Sequence, residues 1–234
     1  MSNDRVQSYY WDSVRDTTVG RYLSQREYAF ISSIVRAGAQ PRRMLDVGCG
    51  SGRMTLPLHA AGLDVIGLDI DPVALAAFQR RSAAISLVRG STLDLPFAAN
   101  SFDCVICIQS FDYFDHRQFL RELGRVLDTG GLLIFDMLNR RSYKWPLKRL
   151  MGRTLDLPSA ALNYHEVLGS MVDHGFDLQG VSGYNWIPFG RDSDSAFVGP
   201  VAVVEQMLRL DRCYGISPKI LVAARKKKRS SIWV

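Results

Sequence analysis

Short apolar runs alternate with amphipathic stretches along most of the chain. Near the start, Tyr22, Leu23, Arg26, Ala29, Phe30, Ser33, Ile34 and Ala37 recur at mostly helical spacing, and Gly38 stands where such a helix would stop. Residues 43–47 then form an apolar run of strand length, followed by a helical stretch over 52–61 that ends at Gly62. A second strand is expected over 64–68, closing on Asp69. Asp71 and Pro72 supply an N-cap and a first-turn proline for a helix reaching about residue 84. A third strand falls at 85–89 and a fourth at 103–108. Asp115 and Gln118 suit a capping-box-like start to a helix over 115–127. Gly130 and Gly131 turn the chain into a fifth strand at 132–137. The regular alternation pauses after Asn139. It resumes with a helix at 164–174 ending at Gly175, a sixth strand at 176–186, a helix at 201–213 and a last strand at 218–224.

Strands alternating with helices over about 100 residues indicate a parallel sheet covered on both faces. The expected class is α/β: a Rossmann-like, doubly wound, mostly parallel seven-stranded sheet with helices on both faces and an antiparallel last strand. With neither an internal repeat nor a linker, the chain reads as a single domain in five parts. These are a helical N-terminal cap (1–40), a core (42–137), a basic insertion (139–162), a stretch completing the sheet (163–225) and a basic tail (226–234).

Charge changes this picture in two places. The formal net charge is +6, yet six cations and no acid lie between Arg140 and Arg153, and five more run from Arg225 to Arg229. Without those two segments the chain is mildly acidic. A basic, tryptophan-containing insertion suits a solvated segment, an anionic membrane surface or, least well, nucleic acid. No apolar run approaches the ~18 residues of a membrane span, and the polar N-terminus lacks a signal-peptide core. A cytoplasmic location is expected, with the inner face of a membrane as an alternative site of attachment. Cys104 and Cys107 are spaced as a CxxC, but three residues apart on a strand they face opposite ways. Neither a dithiol nor a metal site is expected there.

The densest chemistry is Asp46-Val47-Gly48-Cys49-Gly50-Ser51-Gly52, where a strand meets an acid, three alternating glycines and a helix. Glycines permit a sharp turn and close approach of a ligand to the main chain, and a helix start offers free N–H groups to an anion. Asp69, at the tip of the second strand, can accept hydrogen bonds from both hydroxyls of a ribose. Asp46 lies ahead of the glycines and, as an acceptor-only carboxylate, suits a ligand ammonium group. Ribose and amino acid in one ligand point to S-adenosyl-L-methionine.

Taken together, Asp46-x-Gly48-x-Gly50-x-Gly52, Gly67-Leu68-Asp69-Ile70, Leu95-Pro96-Phe97 before Asn100-Ser101-Phe102-Asp103, and Arg125-Val126-Leu127 with Gly130-Gly131 resemble the motifs of class I S-adenosylmethionine-dependent methyltransferases. The resemblance covers roughly residues 42–176 and the final strand. It implies that Asp46, Gly48, Cys49, Gly50 and Gly52 hold the methionine end. Asp69 would take the ribose, Ile70 would pack on adenine, and Gln109 would face the methionine portion. The family commonly places an Asp after the third strand to meet the adenine amino group, where this chain has Ser91. A hydroxyl or Asp94 would substitute, with the backbone N–H groups of Thr92 and Leu93 reading the ring.

The resemblance implies methyl transfer to a small-molecule acceptor by in-line displacement; the two basic patches on an otherwise acidic domain favour an acceptor at or near a membrane, such as a lipid-linked or quinone-like molecule. A nicotinamide-dependent oxidoreductase and a catalytically silent S-adenosylmethionine-binding partner subunit are the competing readings, and an RNA methyltransferase ranks below them. Candidates for a base lining the expected mouth are Asp112, Tyr113, His116, Tyr164, His165 and Tyr184, of which Tyr113, His116 and His165 are kept as catalytic candidates. The spacing of Asn163 and Glu166 suits a capping box, which would leave His165 on a helix surface. No metal site is expected. The acceptor, the atom methylated and the oligomeric state are open.

Overall fold

The computed structural model describes residues 10–38, 41–150 and 162–228. Its order is α1 (Tyr10–Arg15), α2 (Thr18–Ala37), β1 (Met44–Val47), α3 (Thr55–Ala60), β2 (Val65–Asp69), α4 (Pro72–Arg81) and β3 (Leu87–Arg89). Then come β4 (Phe102–Cys107), α5 (His116–Val126), β5 (Leu127–Leu138), α6 (Lys144–Leu150), α7 (Tyr164–Asp173), β6 (Phe176–Tyr184), α8 (Val198–Met207) and β7 (Lys219–Lys226). The strands form one sheet in the order β3-β2-β1-β4-β5-β7-β6. β1 to β5 run parallel, and β7 enters antiparallel between β5 and β6. The expected fold class is the observed one.

Each face of the sheet buries a separate core. On one side Leu45, Val47, Val105, Cys107, Leu133, Phe135 and Val222 pack against Phe119, Leu120 and Leu123 of α5 and Val167 and Met171 of α7. On the other, Met44, Cys104, Ile106, Leu132, Ile134 and Leu221 meet α2, Leu58 of α3 and Val198 of α8. Cys104 and Cys107 fall into opposite cores, as strand alternation requires, and both are free thiols.

Several element boundaries depart from the sequence expectation. α2 begins earlier, capped by Thr17, whose hydroxyl accepts from the Gly20 N–H at 2.9 Å. Its buried stripe is Leu23, Glu27, Ile31 and Val35; Phe30 and Ile34 lie on its flank, against Gly180 of β6. The glycine-rich stretch stays in turns to Met54, so α3 is shorter than expected. β5 starts at Leu127 instead of after Gly130-Gly131, because Leu127 already pairs with Phe102 and a bulge absorbs the glycines. Asp115 caps α5 by accepting from Arg117 and Gln118 N–H groups, but Gln118 donates to the Leu93 carbonyl, so no box closes. At α7, Asn163 accepts from His165 N–H and donates to Glu166, again a cap without the reciprocal bond. The long helix expected at 201–213 is α8 plus a short 3-10 turn at Leu210–Arg212. The insertion contains a helix, α6; residues 151–161 of it, with Arg153, and 229–234 of the tail lie outside the described residues.

Candidate active site

The strand order reverses around β1, which sits between β2 and β4, and ligands of open α/β sheets bind outside the carboxyl ends of strands at such a point. A cleft opens there. It is lined by Asp46, Gly48, Cys49, Gly50, Ser51, Arg53 and Met54 from the β1 side and Ile108, Gln109 and Ser110 from β4. Gly48 has φ +73°, and a Cβ built on it would come within 2.3 Å of the Ser110 hydroxyl oxygen. A side chain is thus excluded by both conformation and space. Gly52, at φ +89°, would drive a Cβ to 2.7 Å from the Phe78 ring.

Asp69 closes the loop from the other side. One of its carboxylate oxygens accepts the Gly50 N–H at 2.7 Å and the other accepts the Asp71 N–H at 2.9 Å. The acid at the tip of β2 therefore fixes the glycine turn, besides being placed for a ligand hydroxyl. Next to it, Ile70 is 63% exposed, an apolar surface of the kind a flat ring covers. Ser91 is partly buried and accepts from the Leu93 N–H at 3.2 Å, in a tight turn bridged to Asp94. Thr92 is buried and Leu93 packs on the core. These three, with Ile70, Asp69 and Gly52, do not line the cleft itself. Of the expected cofactor residues, the cleft gathers Asp46, Gly48, Cys49, Gly50 and Gln109.

Asp46 is 2% exposed, accepts the Thr55 hydroxyl at 2.6 Å and makes no ion pair among the described residues. Burial pushes its carboxyl up to about 6, partly offset by the Thr55 bond and by Arg53. Burial likewise pushes the Cys49 thiol well above its ordinary value, so it is not a reactive thiolate. For Asp46, the folded chain holds a proton that the unfolded chain has already released between the ordinary carboxylate value and about 6. Its contribution to stability is complete at acid pH and is lost as pH rises through about 6. Asp112, raised to about 6 mainly by burial, adds to the same trend. Asp46→Asn should make the fall in unfolding free energy between roughly pH 4.5 and pH 7 smaller. Urea titrations at the two pH values measure it, and an unchanged fall in the variant would disprove the assignment.

Beneath the cleft lies a polar network that sequence reasoning missed. Glu27 of α2 is fully buried and pairs with Arg53, which also donates to the Ser24 hydroxyl at 3.0 Å. Glu27 accepts from the Gln109 amide and from the Tyr184 hydroxyl, the latter at 2.9 Å. The Tyr184 hydroxyl oxygen is also 2.6 Å from an Asp136 carboxylate oxygen, so its one proton is shared between the two acids, and Asp136 pairs with Lys219, whose Nζ donates to the Gln109 side-chain carbonyl at 2.8 Å. Gln109 is held on both ends of its amide and has the left-handed φ of +65°, uncommon for a residue with a side chain. Burial would raise Asp136, but Lys219 and its hydrogen bonds outweigh it and hold it below the usual carboxylate range. Burial, followed by Asp136 and Glu27, pushes the Tyr184 hydroxyl far up.

That network corrects one candidate. Tyr184 is buried within it and is not at a mouth. Asp112 is 9% exposed and accepts the Leu138 N–H at 2.8 Å. Tyr113 is 72% exposed, His116 opens α5, Tyr164 packs on Tyr214, and His165 is exposed on the first turn of α7. None of these lines the cleft.

Residues 45–135 match a family model described as a methyltransferase domain. The demethylmenaquinone methyltransferase of Renibacterium salmoninarum is 39% identical over 99 residues, 42% of either chain. The phthiotriol/phenolphthiotriol dimycocerosates methyltransferase of Mycobacterium leprae is 32% identical over 167 residues, 68% of this chain and 61% of that one. The chain thus spans less than two thirds of the length of these relatives. Among solved structures, a Thermotoga maritima S-adenosylmethionine-dependent methyltransferase, possibly acting on histamine by its description, superposes with a TM-score of 0.60 at 18% identity. That match covers 92% of this chain and 99% of the other.

Proposed function

With residues 45–135 forming a domain of the class I S-adenosylmethionine-dependent methyltransferase family, we propose that the protein moves a methyl group from that cofactor to a small-molecule acceptor in the cleft between β1 and β4. The observation that carries this is the pairing of a buried, unpaired acid, Asp46, with a side-chain-free turn at Gly48 in one cleft. That combination fits the ammonium and close main-chain contact of an amino-acid moiety. Asp69 and the exposed Ile70 fit the ribose and adenine. When bound, the cofactor supplies an electrophilic methyl group on a sulfonium, so alignment does most of the catalytic work. The chain's part is to hold the ammonium at Asp46, clamp the turn through Asp69 and fix Gln109 against the cleft wall.

A thermal-shift comparison tests this reading. S-adenosylmethionine at about 100 times its Kd adds about 2.7 kcal/mol to the native state, which raises Tm by about 5–10 °C for a chain of this length. NAD should leave Tm unchanged. A shift with NAD and none with S-adenosylmethionine would return the reading to an oxidoreductase. Turnover of methyl-labelled cofactor in the presence of a cell extract separates an enzyme from a silent partner subunit.

A lipid-linked or quinone-like acceptor is the finer part of the proposal. It is supported by the names of the relatives and by an apolar surface at one end of the fold. Val203, Val204 and Met207 of α8 and Leu208 just after it are at least half exposed, as are Phe197 and Ile216. Ile216 accepts from the Tyr143 N–H, which brings that surface next to α6 with its exposed Leu147, Arg149 and Leu150. Apolar side chains among cations suit an anionic lipid surface. Among the described residues no helix is long and apolar enough to cross a membrane. Flotation should show the protein on vesicles with anionic lipid and not on neutral ones; equal recovery from both would end the idea.

A further inference from the structure

The basic run that opens at Arg225 has no part in the cofactor cleft, and the fold carries it away from the other basic segment. β7 starts at Lys219, beside Gln109, and ends at Lys226, about 23 Å away at ~3.3 Å per residue. α6 follows the opposite end of the sheet, because it comes after Leu138 of β5, which pairs with Lys219. The cations of α6 and those of the tail therefore stand at opposite ends of the sheet. We infer that the tail end is a separate binding site for a soluble anion carrying two or more linked phosphate groups. No residue of it lines the cleft, so its occupancy does not depend on the methyl-transfer reading.

A groove of about 550 Å³ opens there between α5, the turn after α7, the loop before β4 and the end of β7. Five of its lining residues are cations, Arg121, Arg125, Lys226, Lys227 and Lys228, and no acid lines it. Asn100 and Thr129 add neutral polar groups. The cations are not equally committed. Arg125 is built into the wall: it forks onto Glu122 and donates to the carbonyls of Leu95 at 2.8 Å and Phe97 at 2.7 Å. Lys226 donates to the Leu127 carbonyl at 2.6 Å and to the Asn100 side-chain oxygen at 3.1 Å, which leaves the Asn100 NH2 to give. Lys227 lies 3.2 Å from Asp177, but the pair is exposed and such pairs are weak. Arg121 and Lys228 are exposed and make no hydrogen bond or ion pair among the described residues. Glu122, the acid next to Arg121 in the chain, is turned to Arg125. Two cations thus hold the walls, and three have donors to offer.

Three such side chains with no acid in the lining set up a positive potential that a single carboxylate would not neutralise, so the complement is a multiply charged anion. Phosphate accepts through several oxygens, both from the planar fork of an arginine and from the point charge of a lysine. No aromatic ring lines the groove to stack a base, and its apolar side chains are only Ala99 and the buried Leu120. What the walls recognise is the phosphate itself. The exposed Leu147, Leu150, Phe197 and Met207 that suit a lipid surface lie at the α6–α8 end instead.

The test is calorimetric titration of the full-length protein without divalent cations, at roughly 150 mM salt, where diffuse attraction is screened beyond about 8 Å. Inorganic diphosphate should bind at least about tenfold more tightly than orthophosphate. Arg121→Gln combined with Lys228→Gln should weaken diphosphate by at least about tenfold. Arg149→Gln, which removes an exposed charge from α6, should leave it within about twofold. Arg121→Gln alone serves if the double variant does not fold by circular dichroism. Equal affinity for the two phosphates, an undiminished variant, or the same weakening by Arg149→Gln would each overturn the site. So would binding of anionic vesicles or of an oligonucleotide, lost in the double variant, with no binding of diphosphate: the groove would then be a macromolecular surface.

Discussion

Lys219→Met is expected to lower the unfolding free energy by about 3–5 kcal/mol, because it strands the Asp136 carboxylate in the protein interior. The Lys219 and Asp136 side chains are 1% and 0% exposed, so water cannot replace the lost partner. For a chain of this length the loss corresponds to a Tm lower by about 6–20 °C. The same substitution frees the carbonyl end of Gln109, which would cost cofactor affinity as well. Adding Asp136→Leu should recover most of the stability, since apolar replacement of a buried pair is often neutral. It should not recover the affinity, because Asp136 also accepts the Gln109 N–H. Calorimetric scans of the three variants, with S-adenosylhomocysteine titrations, measure both. A single variant whose Tm stays within about 2 °C of the parent would mean that the pair is hydrated.

Asp69→Ala should weaken the cofactor by about 10²- to 10⁴-fold. Two hydrogen bonds from ribose hydroxyls to a carboxylate are worth about 1.5–3 kcal/mol each, and the clamp on Gly50 and Asp71 is lost with them. The unfolding free energy should fall by only about 1–2 kcal/mol, since Asp69 is not fully buried and water can satisfy part of what it held. Asp69→Asn retains one acceptor oxygen and should lie between the two. Calorimetric titration decides it, and an affinity within about threefold of the parent would remove the ribose from this residue.

The fold and the glycine turn were legible because they are written in local patterns. The strand β1, its glycines and Asp69 lie within 26 consecutive residues, from Met44 to Asp69. Period and turn chemistry are sufficient over that span. The network under the cleft was not legible, because its members come from α2, β5, β6 and β7 and are joined only by the sheet order. One signal was present. Glu27 falls in the stripe Leu23, Glu27, Ile31, Val35, four residues apart, where an acid has no business unless something is buried with it. Asp136 and Lys219 give similar hints, an acid inside an apolar run and a lysine opening another. Which partners they find is a three-dimensional fact. Boundaries slipped where glycine allows two outcomes, as at Gly130-Gly131, and chain order says little about which side chains line a pocket, so Tyr113, His116 and His165 fall outside the cleft.

β7 is the last strand in chain order among the described residues, yet it enters the sheet between β5 and β6 and brings Lys219 to Gln109 and Asp136. On the ribosome, the stretch from β1 to β5 emerges well before that residue, with the free edge of β5 uncovered and Asp136 without its cation. A nascent chain arrested shortly before residue 219 therefore holds every glycine of the cofactor turn and still lacks the lysine that orients Gln109. A chain cut before residue 219 is expected to leave the β5 edge open to proteolysis and Gln109 without its Lys219 partner, which limited proteolysis of a 1–218 fragment measures.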